Sequence, residues 1–315
     1  MNRHKVSIVL TTYNGERFLV KQIESIINQT YPNWELLVRD DCSVDSTVRI
    51  VQEYASKDGR IKMIDNENIN LKACQNFSKL MEAVPSDSSY VMFCDQDDIW
   101  FADKVEKSVN AITKLEVENG SNQYLLAYST YKMMDENENL LPLDIPDYST
   151  YPEFKFILSQ NYIYGCTMII NKKLLESACP IPLTAENHDY WIVLTALANN
   201  AFFKYINEPL LFYRQHSNNV SGSYKNSSFP NRIKRLFNDS EIISIKKRVG
   251  MYISLIEKNS LTMPPTNKEL LGNYIQNVKK GGFSALYFCL KNNIARRGKI
   301  QTLLFYFNLL RTAKF

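Results

Sequence analysis

Four short apolar runs, each followed by a stretch with helical spacing, set the limits on what this chain can fold into. Val6–Leu10, Trp34–Val38, Ile61–Ile64 and Tyr90–Cys94 have the length and polar boundaries of strands buried on both faces. Glu16–Gln29 follows the first, with Phe18, Ile23, Ile26 and Ile27 at helical intervals. A second helix is expected behind the capping candidates Ser43-Val44-Asp45-Ser46, with Val48, Ile50, Val51 and Tyr54. Leu71–Val84 and Asp103–Leu115 supply two more. This alternation predicts an α/β fold with a doubly wound, mostly parallel sheet. Such sheets bind ligands outside the carboxyl ends of their strands. Tyr13-Asn14, Asp40-Asp41 and Asp95–Asp98 all lie just past strand ends, so three polar clusters are expected to meet in one crevice.

The sharpest of these clusters is Cys94-Asp95-Gln96-Asp97-Asp98-Ile99-Trp100. Three carboxylates lie within four residues. They repel one another, and the usual remedy is a hard divalent cation. Mg²⁺ is commonly held by one or two carboxylates together with a substrate's phosphates. A calcium loop over Asp95–Glu106 does not fit, because Trp100 stands where such a loop needs glycine and Ile99 replaces an oxygen ligand. A merely solvated acidic turn fits poorly between a buried strand and the apolar pair Ile99-Trp100.

The second half is less regular. Tyr124–Tyr131 reads as a strand followed by a polar loop at Asp135–Asn139. Ile163–Ile170 reads as a strand interrupted by Gly165, His188–Ala198 as a helix, and Phe202–Tyr205 and Leu210–Tyr213 as separate short strands. Ser217–Ser228 reads as a loop. Beyond Asn231 the pattern is helical and basic. The whole chain carries +4, yet from Pro230 to Phe315 there are 16 Lys/Arg against 4 Asp/Glu. An acidic body with a basic tail suggests an anionic partner surface. Phe283–Leu290 and Thr302–Leu310 are apolar clusters flanked by Lys279-Lys280, Arg296-Arg297-Lys299 and Arg311. That pattern suits helices lying on an anionic membrane face, or packing on the body or on a second subunit of a homodimer. The six cysteines form no CxxC pair and no zinc-spaced set, which fits reduced thiols in the cytoplasm. No secretory core and no run of membrane-spanning length is visible. The expected location is therefore cytoplasmic, peripheral at the inner face of the membrane.

Several motifs together resemble the inverting family 2 glycosyltransferases. Val6-Ser7-Ile8-Val9-Leu10-Thr11-Thr12-Tyr13-Asn14-Gly15 resembles their opening strand, and Gln29-Thr30-Tyr31-Pro32-Asn33-Trp34-Glu35-Leu36 their helix-to-strand link. Asp40-Asp41-Cys42-Ser43-Val44-Asp45-Ser46-Thr47 is similar to their DDxSxDxT segment. The Asp95-Gln96-Asp97-Asp98-Ile99-Trp100 form resembles rhamnosyltransferase-like members. The resemblance spans roughly residues 5 to 222 and implies a GT-A fold. It implies a glycosyltransferase domain over 1–228, with a nucleotide-binding half to about 115 and an acceptor half from about 116. A helical extension follows over 229–315.

By the same resemblance, the donor is a dTDP- or UDP-sugar, with rhamnose as the candidate sugar. The acceptor is a saccharide or lipid-linked saccharide of the cell surface, and nucleic acid is not a partner. Thr11 and Tyr13 would line the base pocket, and Asp41 would accept the imide N–H of the base. Asn70 and Gln96 would join the nucleotide-sugar site. Asp95 would reach the ribose or a Mg²⁺ or Mn²⁺ ion, Asp97 would ligate that ion, and Asp98 would support it or approach the sugar. Gly165-Cys166-Thr167-Met168 would lie under the sugar. Asp189, in Asn187-His188-Asp189-Tyr190-Trp191, would be the general base; a plain helix cap is the bland alternative. Tyr213–Gly222 resembles a YRxHxxNxxG closing loop. Arg214 or His216 there would meet the diphosphate, with His216 also a candidate metal ligand. Trp100 and Trp191 are either packing residues or sugar platforms.

One segment departs from the family: in Asn70-Leu71-Lys72-Ala73-Cys74-Gln75-Asn76, Lys72 stands at a glycine place and Gln75 at a basic one. Two other readings remain. A nucleotidyltransferase would need a basic, Gly-rich loop after the first strand, and Leu10–Arg17 has one glycine. A non-catalytic saccharide-binding protein would lack the base or the metal acid, and Asp97 and Asp189 are both present.

Overall fold

The computed structural model describes residues 4–142, 152–216 and 239–315. The expected loop at Ser217–Ser228 and the boundary between 228 and 229 lie outside the described residues. The four expected opening strands form as β1 (Val6–Thr12), β2 (Trp34–Asp40), β3 (Ile61–Met63) and β4 (Tyr90–Cys94). They pair in parallel in the order β3-β2-β1-β4. Helices α1 (Glu16–Ile27), α2 (Thr47–Lys57), α3 (Lys72–Glu82) and α4 (Lys104–Asn119) connect or follow them.

The rest of the sheet is mixed. β7 (Met168–Asn171) runs antiparallel to β4, with Met92 opposite Ile169. β6 (Leu125–Asp135) runs antiparallel to β7, and β8 (Phe202–Gln215) is parallel to β6. A two-residue strand, β5 (Ile99–Trp100), pairs antiparallel with β8 at the far edge. The full order is β3-β2-β1-β4-β7-β6-β8-β5. So the sheet is parallel through β4 and mixed beyond it. Only Asp95–Asp98 separates β4 from β5, and four residues span no more than about 14 Å. The sheet must therefore curl until its far edge returns to the end of β4. That curl brings the end of β8 to the acidic cluster.

Two expectations change and one open alternative is decided. Ile163–Ile170 is not a strand throughout: Gly165–Thr167 is a 3₁₀ turn, and only Met168 onward is extended. Phe202–Tyr205 and Leu210–Tyr213 are one strand, whose register against β6 shifts near Thr130. Trp100 and Trp191 are both buried, Trp191 with its indole N–H on the Ala178 carbonyl at 2.8 Å, so both are packing residues.

Two apolar layers sandwich the sheet. One joins α1, α2 and α4 through Leu19, Ile23, Val51, Val105 and Ile112. The other joins α3, α6 (Lys172–Ala178), α7 (His188–Ala198) and the C-terminal helices. These last are α8 (Ser240–Lys258), α9 (Pro265–Lys280), α10 (Gly282–Lys291) and α11 (Lys299–Arg311), counting the short α5 (Phe154–Ile157) before α6. The extension thus packs on the body. Tyr252 of α8 donates to the Leu158 carbonyl at 2.7 Å and meets the Tyr190 hydroxyl at 3.1 Å.

Candidate active site

The crevice opens where the connections from β1 turn one way and those from β4 the other. Gln96 stitches the two loops there. Its carboxamide oxygen accepts the Tyr13 N–H at 2.8 Å and its NH₂ donates to the Tyr13 carbonyl at 3.0 Å. Gly15 lies close beside it: a Cβ there would come within 2.3 Å of the Gln96 Oε1 and push the carboxamide aside. Gln96, expected at the nucleotide sugar, therefore spends its amide on shaping the loop. Thr11 is half-buried and the Tyr13 ring is 50% exposed at this mouth.

Asp41 also differs from the expectation of a free base contact. It is buried, with one carboxylate oxygen on the Leu71 N–H at 2.7 Å and the other on the Lys72 N–H at 2.8 Å. Asn70 donates to the Asp41 carbonyl at 2.7 Å. The carboxylate thus fastens the start of α3, where orphan amide groups favour an anion. Lys72 shows why a glycine suits its place: its φ is +63°, a left-handed conformation that costs a side-chain-bearing residue about 1–2 kcal/mol. The two Asp41 hydrogen bonds hold it there. Gln75 reaches the Pro182 carbonyl at 3.2 Å, linking α3 to the segment before α7.

The acids after β4 split into different environments. Asp98 is fully buried. Its Oδ1 accepts the Arg214 N–H at 3.1 Å, while its Oδ2 has no hydrogen-bond partner among the described residues. Burial, then Asp97 and Asp95, push its pKa well up. Asp98 is enclosed within the cluster, held by the Arg214 backbone. Asp95 is raised to about 7 by burial and by the charges of Asp97 and Asp189. Its carboxylate, one Asp98 oxygen and the Cys166 sulfur all lie within 4.8 Å of one another. Burial and both carboxylates keep the Cys166 thiol protonated. Because β7 runs antiparallel to β4, the 3₁₀ turn that starts it falls beside the end of β4, which puts Cys166 there.

Asp97 stands apart, with its Oδ2 2.6 Å from the His216 Nε2. His216 arrives at the end of β8, and its ring lies 5.1 Å from that of Phe18. Arg214 is placed otherwise than expected. Its side chain is buried, with Nε on the Asp97 carbonyl at 2.7 Å, a terminal nitrogen 3.3 Å from Glu138, and the guanidinium over Phe18. It positions the Asp97 loop. Lys104, which the sequence reading passed over, is a second buried cation. Its Nζ donates to the Cys166 carbonyl at 2.9 Å, and burial lowers its pKa to about 8. The signal was a lysine on the apolar stripe of α4, where a surface residue would not fall.

Asp189 closes the arrangement from the opposite side. Asn187 takes the cap position of α7, so Asp189 sits in the first turn and is not the cap. Its oxygens accept the Tyr190 N–H at 2.6 Å and the Gly165 N–H at 3.3 Å. Burial outweighs these hydrogen bonds and raises its pKa to about 6. His188 stacks on Phe77 at 3.7 Å, and burial drives its pKa down to about 3, so it is a neutral packing residue. A Cβ on Gly165 would fall 2.2 Å from its Nε2. From the extension, Arg248 of α8 ion-pairs with Glu186 at 2.6 Å and donates to the Ser159 carbonyl at 3.1 Å. The C-terminal helices thereby brace the segment that carries Asp189.

The residues fit a hard divalent cation. Asp95, Asp97, Asp98 and Asp189 crowd one another closely enough to raise the pKa values of Asp95 and Asp98, and Asp98 Oδ2 is a buried polar atom with no hydrogen-bond partner among the described residues. A protonated thiol is a poor ligand, so Cys166 is an unsuitable donor. The Asp97–His216 pair offers oxygen and imidazole donors that suit Mg²⁺ or Mn²⁺, and the charge of Asp97 is felt at Asp95.

The family model described as Glycosyl transferase family 2 matches residues 7–176. The UDP-Glc:alpha-D-GlcNAc-diphosphoundecaprenol beta-1,3-glucosyltransferase WfgD of Escherichia coli is 31% identical over 200 residues, covering 64% of this chain and 72% of the relative. The dTDP-rhamnosyl transferase RfbG of Shigella flexneri is 28% identical, covering 72% of this chain and 78% of the relative. Among solved structures, S. aureus TarS in complex with UDP superposes with a TM-score of 0.59 at 15% identity, covering 87% of this chain and 71% of that one. The last likeness bears on the fold, which is the expected GT-A type.

Proposed function

The chain belongs to glycosyl transferase family 2, and on that premise we propose that it transfers a sugar, with inversion, from a pyrimidine nucleotide sugar to a saccharide of the cell surface. The observation that carries this reading is the convergence of Asp95, Asp97 and His216 with Asp189 at the carboxyl ends of the central strands. The names of the two relatives support a UDP- or dTDP-linked donor, and RfbG's name favours rhamnose. WfgD's name supports a lipid-linked acceptor.

Thr11 and Tyr13 receive the base at the mouth of the crevice. Asp41 and Asn70 shape that pocket by fixing the loop before α3, and Gln96 by holding Tyr13. Asp97 and His216, together with Asp95, would hold a Mg²⁺ or Mn²⁺ ion. Bound there, the ion supplies Lewis-acid stabilisation of charge on the departing diphosphate. Asp189 accepts the proton of the attacking acceptor hydroxyl. The new C–O bond forms on the face of the anomeric carbon opposite the breaking bond, and the nucleoside diphosphate leaves with that electron pair. A base with its pKa near 6 is ionised at neutral pH yet basic enough to take a proton, and general-base help is worth ~10²–10⁴-fold.

The test is binding and turnover of a panel of UDP- and dTDP-sugars with Mg²⁺ or Mn²⁺. Asp97→Asn should lose metal-dependent nucleotide binding while keeping its fold. Failure of every nucleotide sugar to bind in the presence of metal would refute the reading.

A further inference from the structure

Among the described residues, the distal pair of C-terminal helices presents an exposed apolar face. On α10 the exposed positions are Phe283, Tyr287 and Leu290, spaced four and three residues apart, with Phe283 86% and Tyr287 69% exposed. On α11 they are Ile300, Leu303, Phe307 and Leu310, again on one helical face, with Leu303 66% exposed. The opposite sides, Ala285 and Cys289 on α10 and Phe305 and Leu309 on α11, are buried in the core. The two faces adjoin. Gly282 at the start of α10 packs so closely on the end of α11 that a Cβ would fall 2.1 Å from the Leu310 carbonyl oxygen. The Tyr306 hydroxyl donates to the Ile294 carbonyl at 3.2 Å, closing the other end. The helices therefore run antiparallel, and their exposed apolar residues form one strip.

Charge decides what covers that strip. From Gly282 to Phe315 the sequence holds six Lys/Arg and no Asp or Glu. Lys279, Lys280, Lys291, Lys299 and Lys314 are exposed around it. A second copy meeting the same face by two-fold symmetry would set cations against cations. Apolar side chains rimmed by lysine match a surface with anionic headgroups over hydrocarbon. No helix among the described residues is long and apolar enough to cross a membrane, so the strip would lie in the interface.

We propose that α10 and α11 form a monotopic docking face that seats this enzyme on an anionic lipid bilayer, apolar strip inward and lysines at the headgroups. This deepens the reading of a lipid-linked acceptor, but its test does not depend on it. Donor hydrolysis without vesicles reports on the catalytic reading, and vesicle binding reports on the surface alone.

The full chain is co-sedimented with vesicles of phosphatidylglycerol and phosphatidylcholine, and with vesicles of phosphatidylcholine alone. Binding is expected to the first and not the second. It should weaken as salt shortens the Debye length from ~10 Å at 0.1 M toward ~3 Å at 1 M. The double variant Phe283→Ser/Leu303→Ser should bind about tenfold more weakly or less, with unchanged circular dichroism and nucleotide binding. Lys291→Glu/Lys299→Glu should lose the preference for anionic vesicles while keeping the apolar strip. Equal binding by wild type and both variants overturns the proposal. So does a concentration-dependent dimer, without vesicle binding, that the Phe283→Ser/Leu303→Ser change abolishes.

Discussion

Replacing Asp189 with asparagine should make the protein more stable at neutral pH while removing most of its turnover. The carboxyl's pKa is raised from 3.8 to about 6, chiefly by burial and against the pull of the Tyr190 and Gly165 amides. A raised acid is easier to fold protonated. Its ionisation therefore costs nothing below about pH 4, and the penalty grows until the pH has passed the folded value. With one pKa unit equal to 1.36 kcal/mol, the cost is about 2 kcal/mol at pH 5 and about 3 kcal/mol at pH 7.5. Asparagine keeps the shape and one acceptor but never ionises. The variant's stability advantage over wild type should accordingly grow by roughly 1 kcal/mol between pH 5 and pH 7.5. Urea denaturation at both pH values, in a chelating buffer, measures this difference. Turnover with saturating donor and acceptor should fall ~10²–10⁴-fold with donor affinity kept. The reasoning fails if the advantage is flat with pH, or if the variant still turns over at the wild-type rate.

Two further changes probe the donor side. Gly15→Ala forces a Cβ onto the Gln96 carboxamide and should break its double hydrogen bond to Tyr13. A stability loss of about 1–3 kcal/mol is expected by thermal unfolding, with weaker UDP or dTDP binding by titration calorimetry. Lys72→Gly should relieve the left-handed strain at φ +63°. After the entropy that glycine adds to the unfolded chain, the net gain is about 0.5–1 kcal/mol in urea denaturation; a loss would show that the Lys72 side chain holds that turn.

The first half of the fold was legible because each element carries its own local signal. Val6–Leu10, Trp34–Val38 and Tyr90–Cys94 are buried on both faces, so they read as apolar runs with only Ser7 and Glu35 as polar members. Beyond β4 the signal weakens for a physical reason. β8 is one long strand, but Asn207-Glu208-Pro209 interrupts its pattern, and the accompanying register shift against β6 is a pairing property no single run displays. At the 3₁₀ turn of Gly165–Thr167 the His188 ring packs directly against Gly165, a contact between residues 23 apart that no local pattern displays.

The site divides the same way. Residue type and position identify the acids Asp95, Asp97, Asp98 and Asp189, and their places just past strand ends or at a helix start put them at one edge. Their individual work is decided by the tertiary structure, because a carboxylate's role depends on what solvates it. Asp41 faces the amides that open α3. Arg214 is drawn inward by the Asp97 carbonyl and Glu138, while His216, two residues on, meets the Asp97 carboxylate. Lys104 becomes a buried cation only because α4 packs its first turn against the turn that holds Cys166. Sequence alone thus determined which groups could gather at the end of β4. The curl of the sheet, which brings the end of β8 to Asp95–Asp98, decided which of them were used up in holding the loops and which remained to face a ligand.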